Sequence, residues 1–145
     1  MTRIHVALGF LLVSAATLAD GAKSYILPAD KGAELLNQCS RASPQGVKSF
    51  FVPEGPEVAD LEKKLVPYLI KVRPNITLQD YSRQYIGFII DGKRYIYGNF
   101  FKGGTWARHP ASEPVDICDG GNSFWGIVYS LESKTFKELH TNGVA

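Results

Sequence analysis

The chain has 145 residues, of which 45% are hydrophobic and 21% are charged. This composition is typical of a globular domain and excludes a disordered chain, which would lack the apolar residues needed to form a core. The net charge is only +2 and the basic residues are scattered, so the concentrated basic face of a nucleic-acid-binding protein is not indicated.

Residues 1–19 have the pattern of a secretory signal peptide. A positive start at Arg3 precedes the apolar run VALGFLLV, and the small residues Thr17 and Ala19 suit cleavage after Ala19. The apolar run is shorter than the roughly 20 residues that a transmembrane helix needs. The sequence therefore predicts one mature domain, residues 20–145, that is periplasmic or secreted. An uncleaved N-terminal anchor is the alternative.

The mature chain contains two cysteines, Cys39 and Cys118. In an oxidising compartment an isolated pair normally forms a disulfide. Closing so long a loop is worth about 4 kcal/mol in the chain-entropy model. There is no C-x-x-C redox motif, and the three histidines do not complete a zinc-ligand set. We therefore expect a structural disulfide, with no metal and no cofactor.

The first half of the domain is predicted to contain two helices. The segment from Asp30 to about Arg41 has a capping residue and apolar residues on one helical face. Residues 47–52 (VKSFFV) form either a strand or a buried link. The second helix begins near Pro56, and Pro67 predicts a kink or an early end. Its apolar stripe consists of Val58, Leu61, Leu65, Leu69 and Val72.

The second half is predicted to be β-rich. The runs 81–90 and 93–101 flank Asp91-Gly92, which is a strong signal for a two-residue hairpin turn. Both faces of this hairpin are apolar, so we expect it to be central and covered on both sides. The resulting register pairs Ile90 with Lys93, Phe88 with Tyr95, Ile86 with Tyr97, and Gln84 with Asn99.

The remaining residues predict a loop at 102–113, a short third strand at 115–118, and a second hairpin formed by 123–130 and 135–141. Helices followed by a run of strands indicate an α+β fold. We therefore expect two N-terminal helices packed on a four- to five-stranded antiparallel sheet.

Three segments contain candidate binding residues. Trp106 lies in a Gly- and Pro-rich loop beside Arg108 and His109, and because loops carry binding residues disproportionately, Trp106 is the best candidate for a partner contact. Folding back onto the sheet is the alternative. Arg83 lies within an apolar strand. We expect it either to pair with a buried acid or a ligand anion, or to lie at an edge of the sheet. Asp119 opens an Asp-Gly-Gly turn that either binds an anion or simply connects two strands.

No catalytic residue can be assigned. There is no G-x-S-x-G nucleophile elbow. His109 and His140 are possible general bases, but no nucleophile stands at a recognisable spacing from either. Asp116 and Asp119 lack the spacing of a calcium-binding EF-hand loop.

Three stretches of the chain resemble small uncharacterised exported proteins of bacteria. They are 83–87 (RQYIG), 94–97 (RYIY), and 118–121 (CDGG) together with 124–126 (FWG). The resemblance implies export but no activity. In topology, a helix followed by an antiparallel four-stranded sheet is similar to cystatin-like folds, which include exported inhibitors. The inhibitory motif Gln-x-Val-x-Gly of the cystatins does not occur here.

Together these features favour an exported, non-catalytic binding protein, either an inhibitor or an envelope-associated factor. The expected partner is another exported or envelope protein, not a nucleic acid, and the mature chain is expected to have no membrane span. One alternative is a small extracytoplasmic hydrolase using His109 or His140. Another is an accessory subunit of an envelope assembly.

Overall fold

The computed structural model of the protein describes residues 22–104 and 106–144. The predicted signal peptide, residues 1–19, lies outside the described residues. In chain order the elements are β1 (Ser24–Ile26), α1 (Gly32–Leu36), β2 (Ser49–Phe51), α2 (Gly55–Val72), β3 (Tyr81–Ile90), β4 (Lys93–Lys102), β5 (Phe124–Ser130) and β6 (Phe136–Thr141).

The strands form one mixed sheet in the order β1-β3-β4-β5-β6, and β2 also pairs with β3. β1 runs parallel to the first half of β3, whereas β2 is antiparallel to its second half. Because β4 pairs along the whole of the other side of β3, β1 and β2 follow one another along the same edge of that strand.

Helices and a sheet make up an α+β fold, but the predicted arrangement, two N-terminal helices on a four- to five-stranded antiparallel sheet, is wrong. The sheet has six strands and is mixed. Of the segment predicted as helix from Asp30 to Arg41, only Gly32–Leu36 is α-helical, which leaves α2 as the only long helix in the described part of the chain. The next residues leave the helix to make distant contacts: the side chain of Gln38 donates to the carbonyl of Val115. Tertiary bonds here override helix propensity.

The central hairpin confirms the prediction from Asp91-Gly92. Both residues have positive φ, 49° and 74°, as a two-residue type I′ turn requires. The observed register pairs Ile90 with Lys93, Phe88 with Tyr95, Ile86 with Tyr97, and Gln84 with Asn99. β5 and β6 form the second predicted hairpin.

One face of the sheet is covered by α2. The helix begins with a capping box between Glu54 and Glu57, and it runs through Pro67 to Val72, so the early end does not occur. Its inner face packs against aromatic residues of β3, β4 and β5. The buried residues of this layer include Val58, Leu61, Leu65, Leu69, Tyr85, Ile96, Phe100, Trp125 and Tyr129.

The opposite face is covered by the short helix α1 and irregular chain rather than by a second long helix. Leu27, Leu35 and Leu36 pack there on Phe88 and Tyr97. Farther along the same face, the loop between β4 and β5 lies against the sheet, with Val115 packed on Phe101 and Phe124.

The strand predicted at 115–118 is wrong, because this segment is bonded by side chains and not by a neighbouring strand. The backbone N–H of Val115 donates to Gln84 (2.9 Å), and its carbonyl accepts from Asn99 (2.8 Å). The carbonyl of Ile117 accepts from Asn142. Side-chain amides thus replace the ladder that a strand would need.

Cys39 and Cys118 form the predicted disulfide, with their Cα atoms 5.1 Å apart. The bond joins the segment after α1 to the end of the loop between β4 and β5. In the part of the chain described here, no helix has the length and apolarity required to cross a membrane.

Candidate functional site

A concavity lined by the candidate residues Trp106 and Arg108 lies where β3 begins and β4 ends, on the face opposite α2. We call it the Trp106 cleft; its volume is about 660 Å³. Three parts of the chain form it: the entry to β1, the start of β3, and the loop after β4. Its principal lining residues are Lys23, Tyr25, Asp80, Ser82, Phe101, Trp106 and Arg108.

Trp106 is half-exposed at this cleft, with 43% of its surface open to solvent. Its indole ring meets the ring of Phe124 edge-on, with centroids 5.1 Å apart, and its Nε1 donates to the carbonyl of Lys102 at 3.4 Å. The ring also lies over Gly104, which has φ +72°, and a Cβ there would stand 2.6 Å from the indole. The glycine therefore both turns the chain and makes room for the ring.

Charge in the cleft favours an anionic group. Arg108 is exposed, and among the described residues it has no acidic partner. The lining carboxylate of Asp80 is already paired with Lys102 at 3.5 Å. On the opposite wall, the hydroxyl of Ser82 accepts the backbone N–H of Lys23 at 3.1 Å. An aromatic ring and an uncompensated guanidinium thus face the same open space.

Arg83 lies outside the cleft and bonds to an acid of α2. Its Nε and Nη2 donate to the two carboxylate oxygens of Glu62 at 2.8 and 3.0 Å, and Tyr85 donates to the same carboxylate at 3.0 Å. Burial alone raises the pKa of Glu62, but the hydrogen bonds and charge of Arg83 outweigh it, so this pKa is lowered. The guanidinium of Arg83 is therefore occupied in holding α2 on the sheet.

The structure does not assemble the two histidines into a catalytic group. His109 is exposed in the loop after β4, and Glu113 bonds its backbone N–H, not its imidazole. His140 is exposed on β6, opposite Gly126. Within the described ranges, no three His, Cys, Asp or Glu side chains are placed to hold a metal ion.

The two candidate aspartates are also engaged locally. The carboxylate of Asp116 accepts the backbone N–H of Cys39 at 3.2 Å. Asp119 is exposed, and its carbonyl accepts from Asn142 at 3.1 Å. The following turn uses the backbone N–H of Gly121 to bond the carbonyl of Gly143 at 3.0 Å, which removes one donor that an anion would need.

Sequence reasoning missed a buried polar network centred on Arg41, which is only 8% exposed. Its Nε donates to the hydroxyl of Tyr97 at 3.1 Å and its Nη1 to Asn142 at 2.6 Å. Its Nη2 donates to Asn99. This one side chain joins the segment after α1 to the centre of the sheet and to the C-terminal residues.

The network also positions the loop that carries the cleft. Gln84 Nε2 donates to the carbonyls of Pro110 and Glu113, both at 2.7 Å. Asn99 is the neighbour of Gln84 in the hairpin register and donates to Val115. The signal was available in the sequence: two amides stand opposite each other on a face that is otherwise apolar. Such a pair indicates that something polar covers that face.

Comparison of the chain with protein-family models, with curated proteins and with solved structures found no match.

Proposed function

We propose that the protein is an exported, non-catalytic binding protein that holds a segment of another exported or envelope protein in the Trp106 cleft. Export is supported by the pattern of residues 1–19. The disulfide Cys39–Cys118 is compatible with an oxidising compartment outside the cytoplasm. The resemblance to small exported bacterial proteins agrees with that compartment.

The observation that carries the proposal is the half-exposed indole beside an unpaired guanidinium. Trp and Arg are the residues most enriched among energetically dominant interface contacts. A tryptophan has only two side-chain torsions, so it buries a large area at a low cost in entropy. The complementary segment has a large apolar side chain for Trp106 and a carboxylate for Arg108.

The bonds that hold the loop between β4 and β5 indicate a preformed binding site rather than a mobile loop. The loop between β4 and β5 is tied to the sheet by Gln84 and Asn99 and to the segment after α1 by the disulfide. A site held in place before binding loses less entropy when the partner arrives. The hydrolase alternative has no comparable support, because neither imidazole has an acidic or nucleophilic partner among the described residues.

A phage-displayed library of linear peptides, panned on the purified protein, tests this proposal. We expect enrichment of peptides in which Asp or Glu neighbours a large apolar residue. Their affinity should fall by at least about tenfold in Trp106→Ala, as for an interface hot spot. Arg108→Glu should weaken acidic peptides most strongly. Val52→Ala is the matched control, because Val52 is 54% exposed and lies outside the cleft.

Thermal unfolding of each variant separates lost binding from lost folding. Peptides that bind Trp106→Ala as tightly as the wild type would exclude the cleft as the recognition site. Photocrosslinking from position 106 in whole cells then identifies the natural partner. Position 52 serves as the reference for crosslinking by chance.

A further inference from the structure

The second half of α2 and the turn that follows it are unusually basic for this chain. Residues 63–79 contain four cations and no Asp or Glu. The four are Lys63, Lys64, Lys71 and Arg73. Lys64 pairs with Asp60, whereas the other three have no acidic partner among the described residues. This part of the surface therefore has a local positive charge that the net charge of +2 does not reveal.

The same half-helix exposes apolar side chains. Ile70 is 68% exposed, Val72 is 42% and Val66 is 38%, although Leu65 and Leu69 on the inner face are buried in the core. Val66 and Ile70 stand one turn apart on the outer face. Val66 and Ile70 therefore form an apolar strip on the outer face, whereas Val72 lies on the side of the helix that carries Leu65 and Leu69.

An open groove of about 400 Å³ continues this surface between α2 and the turn joining β5 to β6. Pro67, Tyr68 and Phe136 supply its apolar lining, and Lys64 and Lys134 stand at its sides. Asp60 pairs with both lysines and so fixes them at the groove. The groove thus combines an apolar floor with two amino groups that share one carboxylate, which leaves one net positive charge beside the apolar side chains.

We propose that this surface, formed by Val66, Ile70, Lys63, Lys71 and Arg73 and by the groove beside them, docks on an anionic phospholipid bilayer. Cations attract acidic headgroups, and a few apolar side chains then enter the headgroup region. A protein partner is less favoured, because stable protein interfaces bury roughly 1,200–2,000 Å² and this apolar strip consists of few side chains. Because Lys64 and Lys134 are both paired with Asp60, the uncompensated cations of this surface are Lys63, Lys71 and Arg73, and their charge matches a negative surface.

The proposal is independent of the Trp106 cleft. α2 covers one face of the sheet and the cleft opens on the other, so one variant can test each surface without touching the other. A protein that used both would hold its partner on the side away from the lipid.

Vesicle co-sedimentation tests the proposal. The protein is purified from exporting cells, and mass spectrometry verifies that residues 1–19 are absent, since they would bind lipid themselves. We expect binding to vesicles of equal parts phosphatidylcholine and phosphatidylglycerol, weaker binding to pure phosphatidylcholine, and release by high salt. Lys71→Ala should lower the partition coefficient about fivefold, and Ile70→Asp should lower it further.

Val52→Asp is the matched control, because it places the same charge on a similarly exposed apolar position outside the strip. It should bind anionic vesicles like the wild type, and so should Trp106→Ala. Equal binding to neutral and anionic vesicles would overturn the proposal. Salt-sensitive binding that Ile70→Asp leaves unchanged would also overturn it, because adsorption would then be general and not a property of this surface.

Discussion

Among single residues, Arg41 has the most unusual surroundings. A buried cation normally has an acidic partner, because desolvating an unpaired charge is costly. Here the guanidinium instead bonds three neutral oxygens, those of Tyr97, Asn99 and Asn142. Since two of these acceptors lie on β4 and the third directly follows β6, the side chain cross-links the segment after α1 to both places.

Replacing Arg41 by Met should therefore be strongly destabilising, although most of the side-chain volume is kept. The change leaves three buried acceptors without their donor, and at about 1 kcal/mol or more for each we expect a loss of about 3 kcal/mol in the free energy of unfolding. Urea denaturation at neutral pH measures it. Arg73→Met is the control, because Arg73 is exposed; equal effects of the two variants would contradict a structural role for Arg41.

At the scale of elements, the chain was most predictable where local signals were strong. Asp91-Gly92 specified the turn, and with it the whole register of β3 and β4, because a two-residue loop leaves no freedom of pairing. The apolar spacing in α2 was equally clear. Both are properties of neighbouring residues, so no knowledge of the rest of the molecule was needed.

Other elements depend on partners far away in the sequence. β1 has only three residues, too few to show a strand period, and it exists because β3 offers an edge. α1 is short and 115–118 is irregular because side chains of Gln38, Gln84 and Asn99 bond their surroundings. The opposite wall of the cleft is formed by the entry to β1 and the start of β3, which come together only in the folded chain. The sequence therefore indicated the loop of Trp106 and Arg108 but not that wall.

The acidic residues of α2 should make folding sensitive to low pH. Hydrogen bonds from Lys64 and Tyr129 lower the pKa of Asp60 from 3.8 to about 2, and the pKa of Glu62 is also lowered, from 4.5. Because both values are lower in the folded chain than in the unfolded one, the ionised forms stabilise the fold. Their contribution is complete above the unfolded values and is lost as the pH falls through the folded ones.

We therefore expect the urea midpoint to fall from about pH 4.5 downward, with the contribution of Asp60 lost between 3.8 and about 2. Asp60→Asn should flatten that last part of the curve. Asp119→Asn, at an exposed position, should leave the curve unchanged. A wild-type curve that is level down to the lowest pH would refute the role assigned to these carboxylates.

At the scale of the whole molecule, the disulfide links the two segments that cover the sheet on the face opposite α2. It spans 79 residues of sequence and connects two segments that have little regular structure of their own. That face depends on cross-links more than on helix packing, in contrast to the face covered by α2.

Replacing both cysteines by serine should lower the free energy of unfolding by about 4 kcal/mol, mainly because the unfolded chain regains its freedom. Urea denaturation of the variant, compared with the wild type in the absence of reductant, gives the difference. Dithiothreitol added to the wild type should reproduce it and should leave the double variant unaffected. A difference below about 1 kcal/mol would show that the bridge adds little beyond the bonds of Arg41.

The parallel pairing of β1 with β3 also sets the timing of assembly. The bond between Lys23 and Ser82 closes a separation of 59 residues, and contacts of such long range form late because the intervening chain must first be ordered. In a chain synthesised from its amino end, β1 therefore has no partner strand until β3 has also been made. The amino-terminal end of the domain is thus among the last parts to be fixed.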